Sequence, residues 1–400
     1  SRVNQTVAEG ILARIYLFMA GETVDQVEGL SKQEMYGKAA YWANEVIASQ
    51  KHHLNESYEQ VFINMIQDQY DTEFRESMWE AEFLGDRTSS TYWTNGRIGD
   101  LIGLKSQSGT TNYSEWACNY SYGYYNGSYT LWQLYWTDDR TADEAASRTV
   151  IDKRLTWNLP GYNYRGLNNQ QISYQKDGAT VTAVLKQDQS MYKTPWLYKN
   201  NFAMPEIEGL DTSVENAFDP ADIIYDPTIM CAVRNAGKWR RETIYENQMS
   251  AKSLYTTINF PILRYSDVLL MYAEAINEYA GAPDEQAKEA VREVRRRAGV
   301  ATDESQLGGQ ASFRNLVRNE RARELAFEGL RKWDLIRWGI FVERMHLAGT
   351  NVPTESMYLN KTITDYAAAN YANVSARHIY LPIPTKELAV NHALQQNPLW

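Results

Sequence analysis

The stretch Asp267-Val268-Leu269-Leu270-Met271-Tyr272-Ala273-Glu274-Ala275-Ile276-Asn277-Glu278-Tyr279-Ala280-Gly281 places Val268, Leu269, Tyr272, Ala275 and Ile276 at helical spacing. Ala280-Gly281 closes it, because glycine enters the left-handed conformation of a helix C-terminus without a Cβ penalty. The pattern predicts a helix over 267–279. A second helix is expected after Pro283, with Ala287, Ala290, Val291 and Val294 on one face, Arg295 to Arg297 in the last turn and Gly299 as its end. A similar pair stands near the start. Ile11, Leu12, Ile15, Tyr16 and Met19 predict a helix closed by Ala20-Gly21, and Ser31 is placed to cap a second helix with Tyr36, Ala39, Ala40, Ala43 and Val46 on its apolar stripe down to Ile47. Both pairs have the length and the small-residue packing positions of tetratricopeptide repeats. Two such units are too few for a stable solenoid, so they must lean on further helices or further sequence.

A long helix is expected from about Ala311, with Phe313, Leu316, Val317, Leu325 and Ala326 on one face and Gly329 interrupting it. Its other face carries charge. Glu320 with Arg323, and Arg321 with Glu324, form i,i+3 pairs worth a few tenths of a kcal/mol each, and the run reads as a solvated, locally paired lattice. Between these helical ends, from about Ser57 to Phe260, the chain is irregular and rich in aromatics, with strand-like runs at 77–83 and 180–185 between Gly, Asn and Ser clusters. A loop-rich insertion of this size is a place to look for function. The expected fold is therefore mainly α, a tetratricopeptide-type helical scaffold with a large irregular insertion carrying short strands. It divides into a helical pair over 1–56, a variable region over 57–259 and C-terminal helices over 260–400.

Composition narrows the function. A chain of 400 residues with 44% hydrophobic content can bury a large core, as two or three domains or as one elaborated domain. A net charge of −10 and a pI near 5.2 argue against a nucleic-acid partner. No run of about 18 apolar residues occurs, and the first residues show no signal-peptide pattern. Cys118 and Cys231 allow at most one disulfide and are read as free or buried thiols. His52-His53 cannot chelate a metal alone and reads as a solvated loop. There is no G-x-S-x-G, P-loop or G-x-G-x-x-G in a strand-to-helix context, Gly308-Gly309 is an ordinary break, and no cofactor is expected.

Four blocks carry a family resemblance. Phe260-Pro261-Ile262-Leu263-Arg264-Tyr265-Ser266-Asp267 through Ala275 resembles the SusD/RagB signature, in which a strand-like arm feeds a tetratricopeptide helix. Val291-Arg292 to Arg297-Ala298-Gly299 resembles the end of the family's repeat. Asn319-Glu320-Arg321 through Glu324-Leu325-Ala326-Phe327-Glu328-Gly329, then Trp333-Asp334-Leu335-Ile336-Arg337-Trp338-Gly339, resembles its longest motif. Leu381-Pro382-Ile383-Pro384 to Gln396-Asn397-Pro398-Leu399-Trp400 resembles its C-terminus, with His392 where the family usually has Pro and Leu399 where it usually has Gly. Upstream, Ala13-Arg14-Ile15-Tyr16-Leu17, Met78-Trp79-Glu80-Ala81-Glu82-Phe83 and Gly237-Lys238-Trp239-Arg240-Arg241-Glu242 also fit. These motifs read as scaffold from the residues too: Leu269, Tyr272, Trp333 and Trp338 sit at core spacing, and Arg264 or Asp334 would pair internally. The resemblance implies a glycan receptor that is not an enzyme. It would be lipid-anchored on the extracellular face of the outer membrane and act as a lid on a SusC-type TonB-dependent transporter. Members are longer at the N-terminus, so the resemblance also implies that an anchor and further helices precede Ser1.

The ligand chemistry points to residues 91–136, where four Trp and eight Tyr stand against four charged residues. Sugar rings present a flat C–H face that packs on an aromatic plane, while amide and guanidinium groups direct the hydroxyls at the rim. In the family the glycan lies against an arc of aromatics on loops outside the repeat core. Tyr92, Trp93, Trp116, Tyr124, Tyr125, Trp132 and Trp136 occupy the comparable region, with Asn95, Arg97 and Asp100 as polar candidates. The competing assignment packs Trp132, Tyr135 and Trp136 between loops and core. The Asn-x-Ser patterns at Asn112, Asn119 and Asn126 read as polar loop. Two other functions remain open from sequence: a peptide receptor of the same architecture, and a glycoside hydrolase using Glu80 and Glu82, which i,i+2 strand spacing would separate by about 7 Å.

Overall fold

The structure, a computed structural model, describes residues 3–23, 29–83, 96–104, 121–136, 152–159, 164–165, 171–176, 179–184, 192–193, 235–240, 256–352 and 361–400. In chain order these form α1 (Gln5–Met19), α2 (Lys32–Ala48), α3 (Tyr58–Ile66), β1 (Ser77–Ala81), α4 (Tyr129–Trp136), α5 (Lys153–Asn158), β2 (Tyr164–Arg165), β3 (Gln171–Lys176), β4 (Ala179–Val184), β5 (Tyr192–Lys193), β6 (Phe260–Arg264), α6 (Tyr265–Ala280), α7 (Glu285–Arg297), α8 (Gln310–Glu324), α9 (Arg331–Arg337), α10 (Phe341–Thr350), α11 (Lys361–Ala372) and α12 (Thr385–Val390). The architecture is mostly helical, with short antiparallel strand pairs β1–β6, β2–β5 and β3–β4. Cys118 and Cys231 lie outside the described residues.

Local signals set several helix ends. Ser31 and Glu34 close a capping box at the start of α2, and Asp284 caps α7 by accepting from the Ala287 amide at 2.7 Å. α6 ends on Gly281 at φ 76°, the left-handed cap expected from sequence. α1 begins well before Ile11, because the Asn4 side chain accepts from the Val7 amide at 3.0 Å and starts the helix there. Leu399, where the family usually has Gly, takes φ 69°, a conformation that L residues adopt at a cost.

The apolar faces of α1, α2, α6, α7 and α8 close on one core. Val7, Ala13 and Leu17 meet Ala39, Ala43 and Val46, and these meet Val268, Leu269 and Ala275; Ala290, Val294, Phe313 and Val317 complete it. Each large aliphatic buried in this way contributes about 1.5–3 kcal/mol. Small residues let the elements close. A Cβ on Gly10 would fall 2.6 Å from Leu263 of β6, and one on Gly37 would fall 2.9 Å from the Tyr279 ring. β6 joins this core to the rest of the molecule by pairing with β1, from Ser77 opposite Arg264 to Ala81 opposite Phe260.

Four expectations are corrected. α8 stops at Glu324 and does not run on to Gly329; the chain turns through Phe327 at φ 63° and Gly329 at φ 76° before α9. The charged face of α8 is interior, since Glu320, Arg321, Arg323 and Glu324 are all buried. Glu320 and Arg323 do pair, at 3.1 Å, while Arg321 turns to Asp267 at 2.7 Å and Asp334 at 2.9 Å. His52 is buried between the Thr6 hydroxyl and the Arg75 carbonyl, each at 2.8 Å, and is no solvated loop residue. Trp333 is 39% exposed, whereas Leu269, Tyr272 and Trp338 are buried as expected.

Candidate functional site

The candidate region rests on a buried polar floor at the end of α8. Arg154 of α5 is held by Asp152 at 2.8 Å and reaches Glu320 at 2.5 Å and Glu324 at 3.1 Å. Tyr135 of α4 donates to the Arg323 carbonyl at 2.6 Å and accepts from the Asn158 amide at 2.7 Å. Burial drives the Tyr135 hydroxyl far above the ordinary tyrosine range, so it stays a neutral donor. Lys238 is also fully buried. Its ammonium donates to Glu328 at 2.7 Å and to the Glu324 carbonyl at 3.1 Å, and it lies 4.5 Å from the centre of the Phe62 ring. Burial lowers its pKa to about 8 against the opposing pull of Glu328.

Two short segments rise from this floor. Gly96 exchanges backbone hydrogen bonds with Thr256, and the Thr256 hydroxyl donates to the Ile98 carbonyl at 2.5 Å, while Ile98 and Ile102 pack on a cluster containing Trp157, Trp239 and Ile258. On top of it, the Tyr122 amide donates to the Asp100 carbonyl at 2.6 Å and the Tyr124 amide to the Leu101 carbonyl at 3.0 Å. Gly123 turns between them at φ 58°, and the Tyr122 and Tyr124 rings stack with centroids 4.8 Å apart and planes 14° from parallel. Tyr124 is 63% exposed and Tyr125 56%, which makes a solvent-facing aromatic edge.

The sequence candidates separate accordingly. Tyr92, Trp93, Asn95 and Trp116 lie outside the described residues, as does the side chain of Trp136, whose backbone ends α4. Tyr124 and Tyr125 are exposed together on the edge. Trp132 is corrected to a core residue, 1% exposed, stacked on Tyr129 and packed with Tyr135, Leu155 and Leu159, because α4 turns it toward α5 and α8. Asp100 is corrected likewise. Its carboxylate is buried and held by the Arg97 guanidinium through Nε and Nη2, both at 2.9 Å, so it orders the loop from within. Arg97 keeps part of its side chain at the surface. Tyr122 and Asn235 were not singled out from sequence, and Asn126 was read only as polar loop. The Tyr122-Gly123-Tyr124 spacing was the available signal for the first of these.

Glu80 lies in β1, while Glu82 is exposed beyond its end and accepts from the Tyr70 hydroxyl. Among the described residues, no group of three or more His, Cys, Asp or Glu side chains could hold a metal ion, and no helix is long and apolar enough to cross a membrane.

A sequence model of the SusD family matches residues 75–400, which include the signature arm, the buried charged end of α8 and the C-terminal motif. The chain belongs to the SusD family. Among SusD-like relatives, SusD-like protein P25 of Formosa agariphila is 36% identical over 138 residues, which is 34% of this chain and 23% of that protein. The crystal structure of a SusD homolog from Bacteroides thetaiotaomicron VPI-5482 superposes with a TM-score of 0.69 at 25% identity, covering 100% of this chain and 64% of the other. The SusD fold is shared at 18% identity and a TM-score of 0.54 with surface glycan-binding protein A from Bacteroides thetaiotaomicron, solved in complex with laminarihexaose, over 99% of this chain and 64% of that one. This chain thus spans just under two thirds of these solved SusD-type structures.

Proposed function

We propose that this chain binds a neutral oligosaccharide on an aromatic edge outside its helical core and passes it to a SusC-type TonB-dependent transporter on the extracellular face of the outer membrane, where a lipid anchor holds the complete protein. The observation that carries this reading is the exposed Tyr124 and Tyr125 edge, with the half-buried Tyr122 ring stacked on Tyr124, on a chain of the SusD family. An exposed aromatic plane is the kind of surface on which the C–H face of a sugar unit packs. A relative of the same fold was solved with laminarihexaose. A binding role, with no cleavage, is proposed because the family resemblance assigns the Glu80 strand to the scaffold; turnover of a bound oligosaccharide that is lost in Glu80→Gln would overturn that part.

A panel of hexasaccharides including laminarihexaose, set beside a peptide library, tests the ligand class. Binding in the roughly micromolar to millimolar range is expected for a shallow edge. The Tyr124→Ala, Tyr125→Ala double variant should lose about 1 kcal/mol or more, roughly fivefold or above, by calorimetry. Unaltered binding in this variant and in Trp93→Ala, Trp116→Ala and Trp136→Ala would place the site elsewhere, and retention of peptides alone would favour the peptide receptor. For the partner, the complete protein is expected to co-purify from outer membranes with a TonB-dependent transporter. Recovery only as a free protein, unaffected by deleting that transporter, contradicts the transport role.

A further inference from the structure

We propose that residues 235–240 form a positioning strap that fixes the tyrosine edge to the end of α8, with Asn235 setting the loop's geometry; its functional meaning rests on the reading of that edge as the glycan contact. The strap is buried along its whole length, although it is an irregular segment with a single 3-10 turn at Gly237–Trp239. Its two ends face different partners.

At the loop end, the Asn235 side-chain amide donates to the Gly123 carbonyl at 3.0 Å and to the Asn126 Oδ1 at 2.8 Å, and the Ala236 amide donates to the Tyr125 carbonyl at 3.1 Å. Gly123 is the turn that stacks Tyr124 over Tyr122, so Asn235 grips the residue that decides the ring arrangement. At the scaffold end, Lys238 donates to Glu328 and to the Glu324 carbonyl, the Trp239 indole donates to the Phe327 carbonyl at 3.1 Å, and Arg240 donates to the Trp157 carbonyl at 2.5 Å with its guanidinium 3.8 Å from the centre of the Trp157 ring. Phe327 lies in the left-handed turn after α8, so the strap reads the position of that turn directly.

Apart from the stacking of Tyr124 on Tyr122, the exposed Tyr124 and Tyr125 rings stand largely in solvent, and the backbone that carries them is held by its partners. Those partners are the 96–104 segment on one side and the strap on the other. A loop held on both sides loses little freedom when a ligand arrives, which is the physical content of preorganisation.

Hydrogen exchange in Asn235→Ala tests the strap without any ligand. The amides of Tyr122, Tyr124 and Ala236, which donate to the Asp100, Leu101 and Tyr125 carbonyls, are expected to exchange about tenfold faster or more, while the α6 amides and the melting temperature stay unchanged. Asn235→Asp keeps the shape but removes the donor, and should behave like the alanine variant. Lys238→Met cuts the other end and should loosen the same amides; if it fails to fold, the Asn235 variants still decide. Exchange at the Tyr122, Tyr124 and Ala236 amides matching the unsubstituted protein in both Asn235 variants overturns the strap. For a hexasaccharide that binds in the panel above, Asn235→Ala should weaken affinity about tenfold, and a change below twofold counts against positioning. If the Tyr124→Ala, Tyr125→Ala variant binds normally while exchange in Asn235→Ala rises, the strap stands and the location of the ligand site is what fails.

Discussion

Arg264→Met is expected to cost about 3–5 kcal/mol, a large share of the roughly 5–15 kcal/mol that holds a folded domain together. Arg264 stands where β6 becomes α6, and its side chain is fully buried. Nε donates to Glu328 at 2.9 Å; Nη1 donates to Glu76 at 2.9 Å and Glu324 at 3.1 Å; Nη2 donates to Glu328 at 2.8 Å and to the Glu324 carbonyl at 3.1 Å. One planar cation therefore serves three carboxylates, and Glu76 is 188 residues away in sequence. Arg297 also bridges Glu76 and Glu324, Arg154 reaches Glu324, and Lys238 pairs with Glu328 at 2.7 Å, but Arg264 is the guanidinium that donates to all three carboxylates. Without Arg264 three buried carboxylates keep their desolvation cost and lose one of the cations that offset it. Arg264→Lys should also be costly, because a compact ammonium cannot reproduce the forked geometry. Urea denaturation measures both, with Lys32→Ala as a control: Lys32 pairs with Glu22 at 2.7 Å on the surface, and its loss should shift stability by about 0.5 kcal/mol or less. A loss under about 1 kcal/mol for Arg264→Met would mean that this cluster does not hold the arm to the scaffold.

Acid is expected to unfold the protein through the neighbouring carboxylates. Burial pushes the Asp267 carboxyl up, but Arg321 and Arg14 outweigh it and hold its pKa at about 2, below the ordinary 3.8. Burial likewise opposes ionisation of Glu320, yet Arg154, Arg323 and Arg295 hold it at about 2, below the ordinary 4.5. Glu324 and Asp334 are lowered by the same kind of neighbour. In each case the folded pKa lies below the unfolded one, so the unfolded chain takes up protons first. The stabilisation is complete above the unfolded values and is lost as pH falls from about 4.5 toward 2. For Asp267 and Glu320 together the loss is on the order of 5 kcal/mol. Urea titrations at pH 7, 4.5 and 3 should show stability falling steeply over the lower interval, and Glu320→Gln should be less stable at pH 7 but flatter with pH. Equal stability at pH 7 and pH 3 would show that these carboxylates are not held by their arginines.

Local sequence determined the elements whose signals lie within a turn or two of the residues concerned. The helix expected over 267–279 spans Tyr265–Ala280, the Ser31 cap forms, Gly281 takes the left-handed cap, and the strand-like run at 180–185 pairs as Ala179–Val184 with Gln171–Lys176. The family was also legible, because the motifs that carry it lie in these same scaffold elements. Tyr124 and Tyr125, singled out from aromatic density and from the region the family resemblance indicates, are both exposed.

Tertiary structure decided where charge and aromatic surface end up. The charged face of α8 looks like a solvated lattice until Arg154, Arg264, Arg295 and Arg297 arrive from other elements and make its burial affordable. Trp132 and Asp100 carry the residue types of a sugar site but were drawn inside by α5 and by Arg97, while Asn235 reaches the tyrosine loop only by meeting Gly123 and Asn126 across 112 and 109 residues. Helical periodicity and capping depend on neighbours three or four residues away, so one sequence window contains them. The desolvation of an ion or a ring depends on which distant segment covers it, and no window of sequence contains that information.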